Sequence, residues 1–268
     1  MSESRIANHY RDFKSWSNTQ REIAENHEKH PYATLFYLKN EVETNQNRLQ
    51  LSLRRGHVYA ELDDWIHAEQ EFARAIELDA TDSIVHVYRL ICIQHQADLQ
   101  RFLRAFDQMR FEFQHSRNSS DINNLAWVAC LIDEPLSERA ALIQDLKRLL
   151  DYPMAQTMHY NLLNTLGTIQ MRVGAWKEAK ESIEKGVAVR GSANTIDDIL
   201  LAMLEHHLDD HDSAKRRLMA IESQRESSER EIKKGLPPTV HWADRSVEQL
   251  LLQQATQEMS LEPISNLR

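Results

Sequence analysis

The sequence predicts an all-α protein, an α-solenoid of about six antiparallel helix pairs closed by a C-terminal capping helix. Three observations carry this. Gly and Pro number only six each in 268 residues, so positive-φ turns and glycine-rich phosphate loops are scarce. Small and aromatic residues recur at fixed offsets, about 34 residues apart. Apolar residues fall in short runs. The richest, Ile199 to Leu204, is far below the roughly 18 residues of a membrane span.

The repeat is clearest over residues 49–82. Gly56 is followed by Tyr59, then Ala68, Phe72 and Ala75. In residues 160–194, Gly167, Ala179, Ile183 and Gly186 stand at the offsets of Gly56, Ala68, Phe72 and Ala75. Trp65 and Trp176 each lie nine residues past their glycine. Such spacing places small residues where two helices cross closely and large ones in the groove between them. A unit at 195–228 keeps the later part, with Ala214 and Leu218. Between these, Tyr88 falls 35 residues after Leu53, and Asn123 falls 35 after Tyr88. This defines units at 84–118 and 119–156. The next step, to Asn164, is 41 residues, so a longer loop is expected near Ile132 to Pro135 or Asp151 to Pro153. Residues 1–48 read as a degenerate first pair, with Pro31 opening its second helix. The link from Ser227 to His241 carries Gly235, Pro237 and Pro238. It leads to the expected capping helix at 239–260, started by Thr239 or Asp244. One unit cannot bury its own apolar face, so neighbours must stack. The polar Glu248, Gln253, Gln254 and Gln257 then suit the outer side of the cap.

The pattern resembles the tetratricopeptide repeat: Trp-x2-Leu-Gly-x2-Tyr, Ala-x3-Phe, Ala, Pro. The unit at 49–82 departs from it at Ser52, Arg55 and Ala80. The unit at 160–194 has Leu163 for the Trp and Gln170 for the Tyr. The segments Arg54 to Leu62, Asn123 to Cys130, Asn164 to Gly167 and Leu201 to Leu208 resemble bacterial tetratricopeptide proteins of the planctomycete type, often fused to serine/threonine kinase domains. That resemblance implies scaffolding or partner binding. The kinase motifs themselves are absent from this sequence.

In such solenoids the first helix of each pair lines the concave side. The register places His57, Tyr88, Cys92, Asn123, Trp127, Asn164, Thr168, Met171, Arg172, Met203 and His206 there as candidate partner-binding residues. Asn can hold an extended peptide through its backbone, since it both donates and accepts. Trp and Met offer adaptable apolar contacts. Arg172 is the expected inner-wall cation.

Acidic residues outnumber basic ones, 41 to 32, for a net charge of −9. This argues against a nucleic-acid partner, which needs a basic footprint. Cys92 and Cys130 sit in apolar helical stretches and read as buried reduced thiols in a cytoplasmic protein. The N-terminal residues have no signal-peptide core. His207 and His211, four apart among acids, read as a solvated turn and not a metal site. Catalytic, cofactor and metal residues are not expected. The expected function is a non-enzymatic scaffold that binds a peptide or helix of a protein partner in its concave groove. The alternative is a structural or regulatory subunit acting through its convex surface or C-terminal helix, in association with a kinase system.

Overall fold

The structure is a computed structural model, and it describes residues 31–40, 48–78, 81–233 and 240–259. The helix expected before Pro31, the Gly235 to Pro238 link and the expected cap Thr239 lie outside these residues.

Among the described residues the chain forms twelve helices. They are α1 (Pro31–Asn40), α2 (Arg48–Glu61), α3 (Trp65–Glu77), α4 (Ser83–His95), α5 (Leu99–Phe113) and α6 (Ser119–Val128). Then come α7 (Arg139–Leu150), α8 (Gln156–Arg172), α9 (Trp176–Arg190), α10 (Thr195–His207), α11 (His211–Lys233) and α12 (Trp242–Glu258). Helices α2 to α11 pack as five consecutive pairs, and each pair stacks on the next. The fold is an all-α solenoid.

Local sequence sets the helix starts. Asp64, Asp82, Asp98, Asn118 and Asn194 cap α3, α4, α5, α6 and α10, each side chain accepting a backbone N–H of the first turn. Such a cap contributes about 0.5–2 kcal/mol. Four of the turns inside pairs share one geometry. A residue in the left-handed region stands two positions before the second helix: Asp63 (φ 57°), Ala97 (φ 53°), Gly174 (φ 77°) and Asp209 (φ 64°). The repeat thus survives in the backbone even where its residue type drifts.

Packing follows the small-residue positions. A Cβ on Gly56 would stand 2.8 Å from the ring of Phe72, and one on Gly167 would stand 2.6 Å from the side chain of Ile183. Each glycine therefore sets how closely its pair crosses. The third pair departs from the pattern. Residues 129–138 separate α6 from α7, and Arg139, buried, holds this longer loop. Its guanidinium donates to the carbonyls of Ala129 (3.0 Å) and Ile132 (2.5 Å). That satisfies acceptors left open where α6 ends.

The last helix, α12, covers the final pair and continues past it. It packs most extensively on α10 and reaches α4 and α2 along the inner wall. At 1.5 Å per residue it is about 25 Å long, enough to bridge the two ends of the inner wall. Its first residue, Trp242, is 1% exposed. The indole stacks on Phe72 (5.9 Å between centroids) and meets Tyr88 (5.2 Å), and its Nε1–H donates to His57 Nδ1 at 2.9 Å. Arg245 donates to Glu61 at 2.6 Å. Near the other end, Gln254 accepts from Arg172 and donates to Asp133, both at 2.7 Å. Glu258 Oε2 lies 3.1 Å from His207 Nε2. The physical reason is α12's wide apolar face: Trp242, Ala243, Val247, Leu251, Leu252 and Ala255 are all buried. The helix N-cap is His241, whose ring accepts the N–H of Ala243, and not Asp244.

Truncating an aromatic anchor of this kind costs about 3–5 kcal/mol. Trp242→Ala should release α12 while the pairs stay folded. Hydrogen exchange should then accelerate across residues 243–258, with protection kept in α8 and α9. Unchanged protection of α12 would show that Trp242 is not its anchor.

A cleft between the inner wall and the last helix

Helix α12 does not fill the concave side. Between it and the first helices of the middle pairs lies a cleft of about 870 Å³. One wall is Tyr88 of α4, Asn123, Asn124 and Trp127 of α6, and Tyr160, Asn161 and Asn164 of α8. The other is His241, Ala243, Asp244, Val247 and Glu248 at the start of α12. Arg190, Asn194 and Thr195 close the α9–α10 side. The volume lies within the range of small-ligand pockets, about 300–1,000 Å³.

Several polar residues here hold the fold together. Asp197 is fully buried and accepts from Asn164 Nδ2 at 2.6 Å and from the Tyr160 hydroxyl at 3.1 Å. It also accepts the backbone N–H of Asn194 at 3.0 Å, completing a reciprocal cap at the start of α10. Loss of solvent raises the Asp197 carboxyl above its ordinary range, against the pull of these donors. Burial, and then the nearby Asp197, push the Tyr160 hydroxyl up to about 12, so it stays a donor. On α6, Asn124 donates to Ser83 at 2.9 Å, and Ser83 donates to Asp121 at 2.7 Å. Among the described residues Asn161 makes no side-chain hydrogen bond, and the buried Oδ1 of Asn123 has no partner.

Of the residues expected on the groove, Tyr88, Asn123, Trp127 and Asn164 line this cleft. Asn164 is spent on Asp197. Cys92, Thr168, Met171 and Met203 are core residues, at most 3% exposed, and do not line it. The first helices are packed by neighbours on both sides and covered by α12, so fewer of their faces are open than the repeat alone suggests. His57 lies on the inner wall beneath Trp242. Arg172 is not an open cation. It donates to the Cys130 carbonyl at 2.8 Å, pairs with Asp133 and bridges to Gln254. His206 stands apart from the cleft, its Nδ1 3.1 Å from that of His211. His207 stacks on Trp176 at 3.9 Å. The Cys130 thiol, fully enclosed, is pushed up to about 12, and burial also raises that of Cys92.

Sequence reasoning missed Tyr160, Asn161, Arg190, Asp244 and Glu248. Tyr160 and Asn161 were within reach, because residues three and four before Asn164 share its helix face. Asp244 and Glu248 were not, because Glu248 was assigned to the solvent side of a cap.

No family model matches the sequence, and no curated protein does. Among solved structures, a mutant of MamA is similar over 67% of this chain and 99% of its own, at 14% identity and a TM-score of 0.39. Yeast Tom70 is similar over 85% of this chain and 44% of its own, at 14% identity and a TM-score of 0.46. These likenesses concern the fold alone. No helix among the described residues is long and apolar enough to cross a membrane.

Desolvation, and then the neighbouring Asp244, lift the Glu248 carboxyl above its ordinary value of 4.5. The folded state therefore holds this proton more tightly than the unfolded chain. Above the raised value, ionised Glu248 opposes folding; below 4.5 both states are protonated and the cost vanishes. Glu248→Gln should raise the melting temperature at neutral pH, with the difference closing as the pH falls through that window. A lower melting temperature at neutral pH would contradict this.

Proposed function

We propose that the chain is a non-enzymatic protein-interaction scaffold, and that it holds a short extended segment of a partner protein in the cleft beside α12. The observation that carries this is the pairing of apolar contact with uncommitted hydrogen-bonding groups in one concavity. Trp127 and Tyr88 supply rigid aromatic surface, and Asn123 and Asn161 face the same space. An extended segment suits this better than a helix, because α12 already takes the helix-sized space. The enclosed, poorly acidic thiols of Cys92 and Cys130 support a role without nucleophilic chemistry. The resemblance to kinase-fused bacterial repeat proteins supports a cytoplasmic partner within a serine/threonine kinase system. A role for α12 as a free interaction arm is less well supported, since its apolar face is spent on the inner wall.

The double variant Asn123→Ala with Trp127→Ala tests this. Both side chains face the cleft, and neither belongs to the Asp197 network. In co-purification from the source cells, the variant should lose at least tenfold of a partner that wild type retains, with its circular dichroism unchanged. Full retention of that partner by the folded variant would place binding elsewhere.

A further inference from the structure

The first turn of α12 is held by two histidines, and both act as acceptors. The Nε1–H of Trp242 donates to Nδ1 of His57 at 2.9 Å, and the backbone N–H of Ala243 donates to Nδ1 of His241 at 3.3 Å. An indole N–H and a backbone N–H only donate. Both Nδ1 atoms are therefore unprotonated, and each ring is neutral with its proton on Nε2. The two rings lie 5.8 Å apart between centroids, and each meets the rings of Trp242 and Tyr88. A proton on either Nδ1 would set N–H against N–H at the anchor of α12. Protons on both would add like charges at short range.

We infer that His57 and His241 form a pH-sensitive latch: α12 is docked while both rings are neutral and is released as they take up protons. The latch acts on α12 itself and operates whether or not a partner occupies the cleft. Because α12 is one wall of that cleft, the cleft exists only while the latch is closed. Charged and titratable groups reach the pair from several elements. On α2, Glu61 lies one turn beyond His57 and is held by Arg245. From α3 comes the Phe72 ring, and Trp65 carries the stacked ring of His95 from α4 at 4.2 Å. Also on that side, Asp82 and Asp244 lie near Tyr88. Helix α12 adds Asp244 beside His241, then Glu248, with Arg190 and Arg225 near these carboxylates. Asp244 attracts a charged His241, which delays release. It does not restore an acceptor on a protonated Nδ1. Docking keeps both rings neutral, so the docked state binds fewer protons than the released one. Above about pH 6.5, the ordinary histidine value, docking is constant. Below it, docking weakens by up to about tenfold per pH unit for each histidine, until the docked rings are themselves protonated. Glu248 works in the opposite direction, since its carboxyl holds a proton more tightly in the fold. His86 and His95, kept neutral by burial, share the sign of the latch but sit on the repeats.

Hydrogen exchange of the full chain, corrected for the intrinsic effect of pH on exchange, tests this. Between about pH 7.5 and 5.5, protection of residues 243–258 should fall at least about tenfold while α8 and α9 stay protected. Variants on the two histidines separate the latch from Glu248, His86 and His95, which they leave in place. Asn offers an amide oxygen in place of Nδ1 and does not titrate, and it is a favoured N-cap. His57→Asn with His241→Asn should therefore keep α12 protected at both ends of the range. His241→Asn alone should shrink the fall by at least about threefold, and it decides the matter if the double variant is already open at neutral pH. Three results would each overturn the latch: no fall in wild type, a fall shared equally by α8 and α9, or a fall of wild-type size in His241→Asn.

Discussion

Phe72 lying against Gly56 is the contact on which the rest of the molecule turns. The ring occupies the place a Cβ would take, at 2.8 Å, so the two helices of its pair can approach. Its other surroundings include the indole of Trp242, stacked at 5.9 Å, and the ring of His57 at 5.3 Å. One side chain thus sets the crossing of a helix pair and lines the socket for a helix from the far end of the sequence. A small residue at position 56 is therefore a condition for closing the solenoid, and not only for one pair.

Closure by α12 changes what a concave groove means in this chain. An open solenoid would offer the length of its inner wall to a partner. Here much of that wall is taken by an internal helix held by an aromatic anchor, ion pairs and an apolar face. What remains is a cleft with one wall from the repeats and one from α12. The two walls differ in character: aromatic rings and Asn on the repeat side, carboxylates on the helix. Loss of solvent is the leading cause of the raised Glu248 carboxyl, so its placement disfavours the charged form in the folded state.

Much of the fold was legible in the sequence. The offsets from Gly56 to Ala75, repeated from Gly167 to Gly186, located helix pairs because close crossings tolerate only small residues. The longer loop in the third pair showed as a stretched repeat step. The site was legible only in part. Asn123, Trp127 and Tyr88 face the cleft because the register of first helices fixes one face per repeat. Met171, Met203 and Cys92 fell on similar offsets yet are buried, because periodicity along one helix does not say what a distant helix covers. The path of α12 was the decisive unknown. Its apolar face is as suited to an end cap as to an inner wall, and only the socket of Phe72, Tyr88 and His57, assembled from three helices, distinguishes the two.

The most direct measurement of the account is the position of the Trp242 indole in the full chain in solution. Nuclear Overhauser contacts between its Nε1–H and the ring protons of His57 and Tyr88, together with a chemical shift far from that of a free indole, are the predicted result. A Trp242 indole with a solvent-like shift and no contact to either ring would contradict it, and with it the closed groove and the cleft that α12 forms.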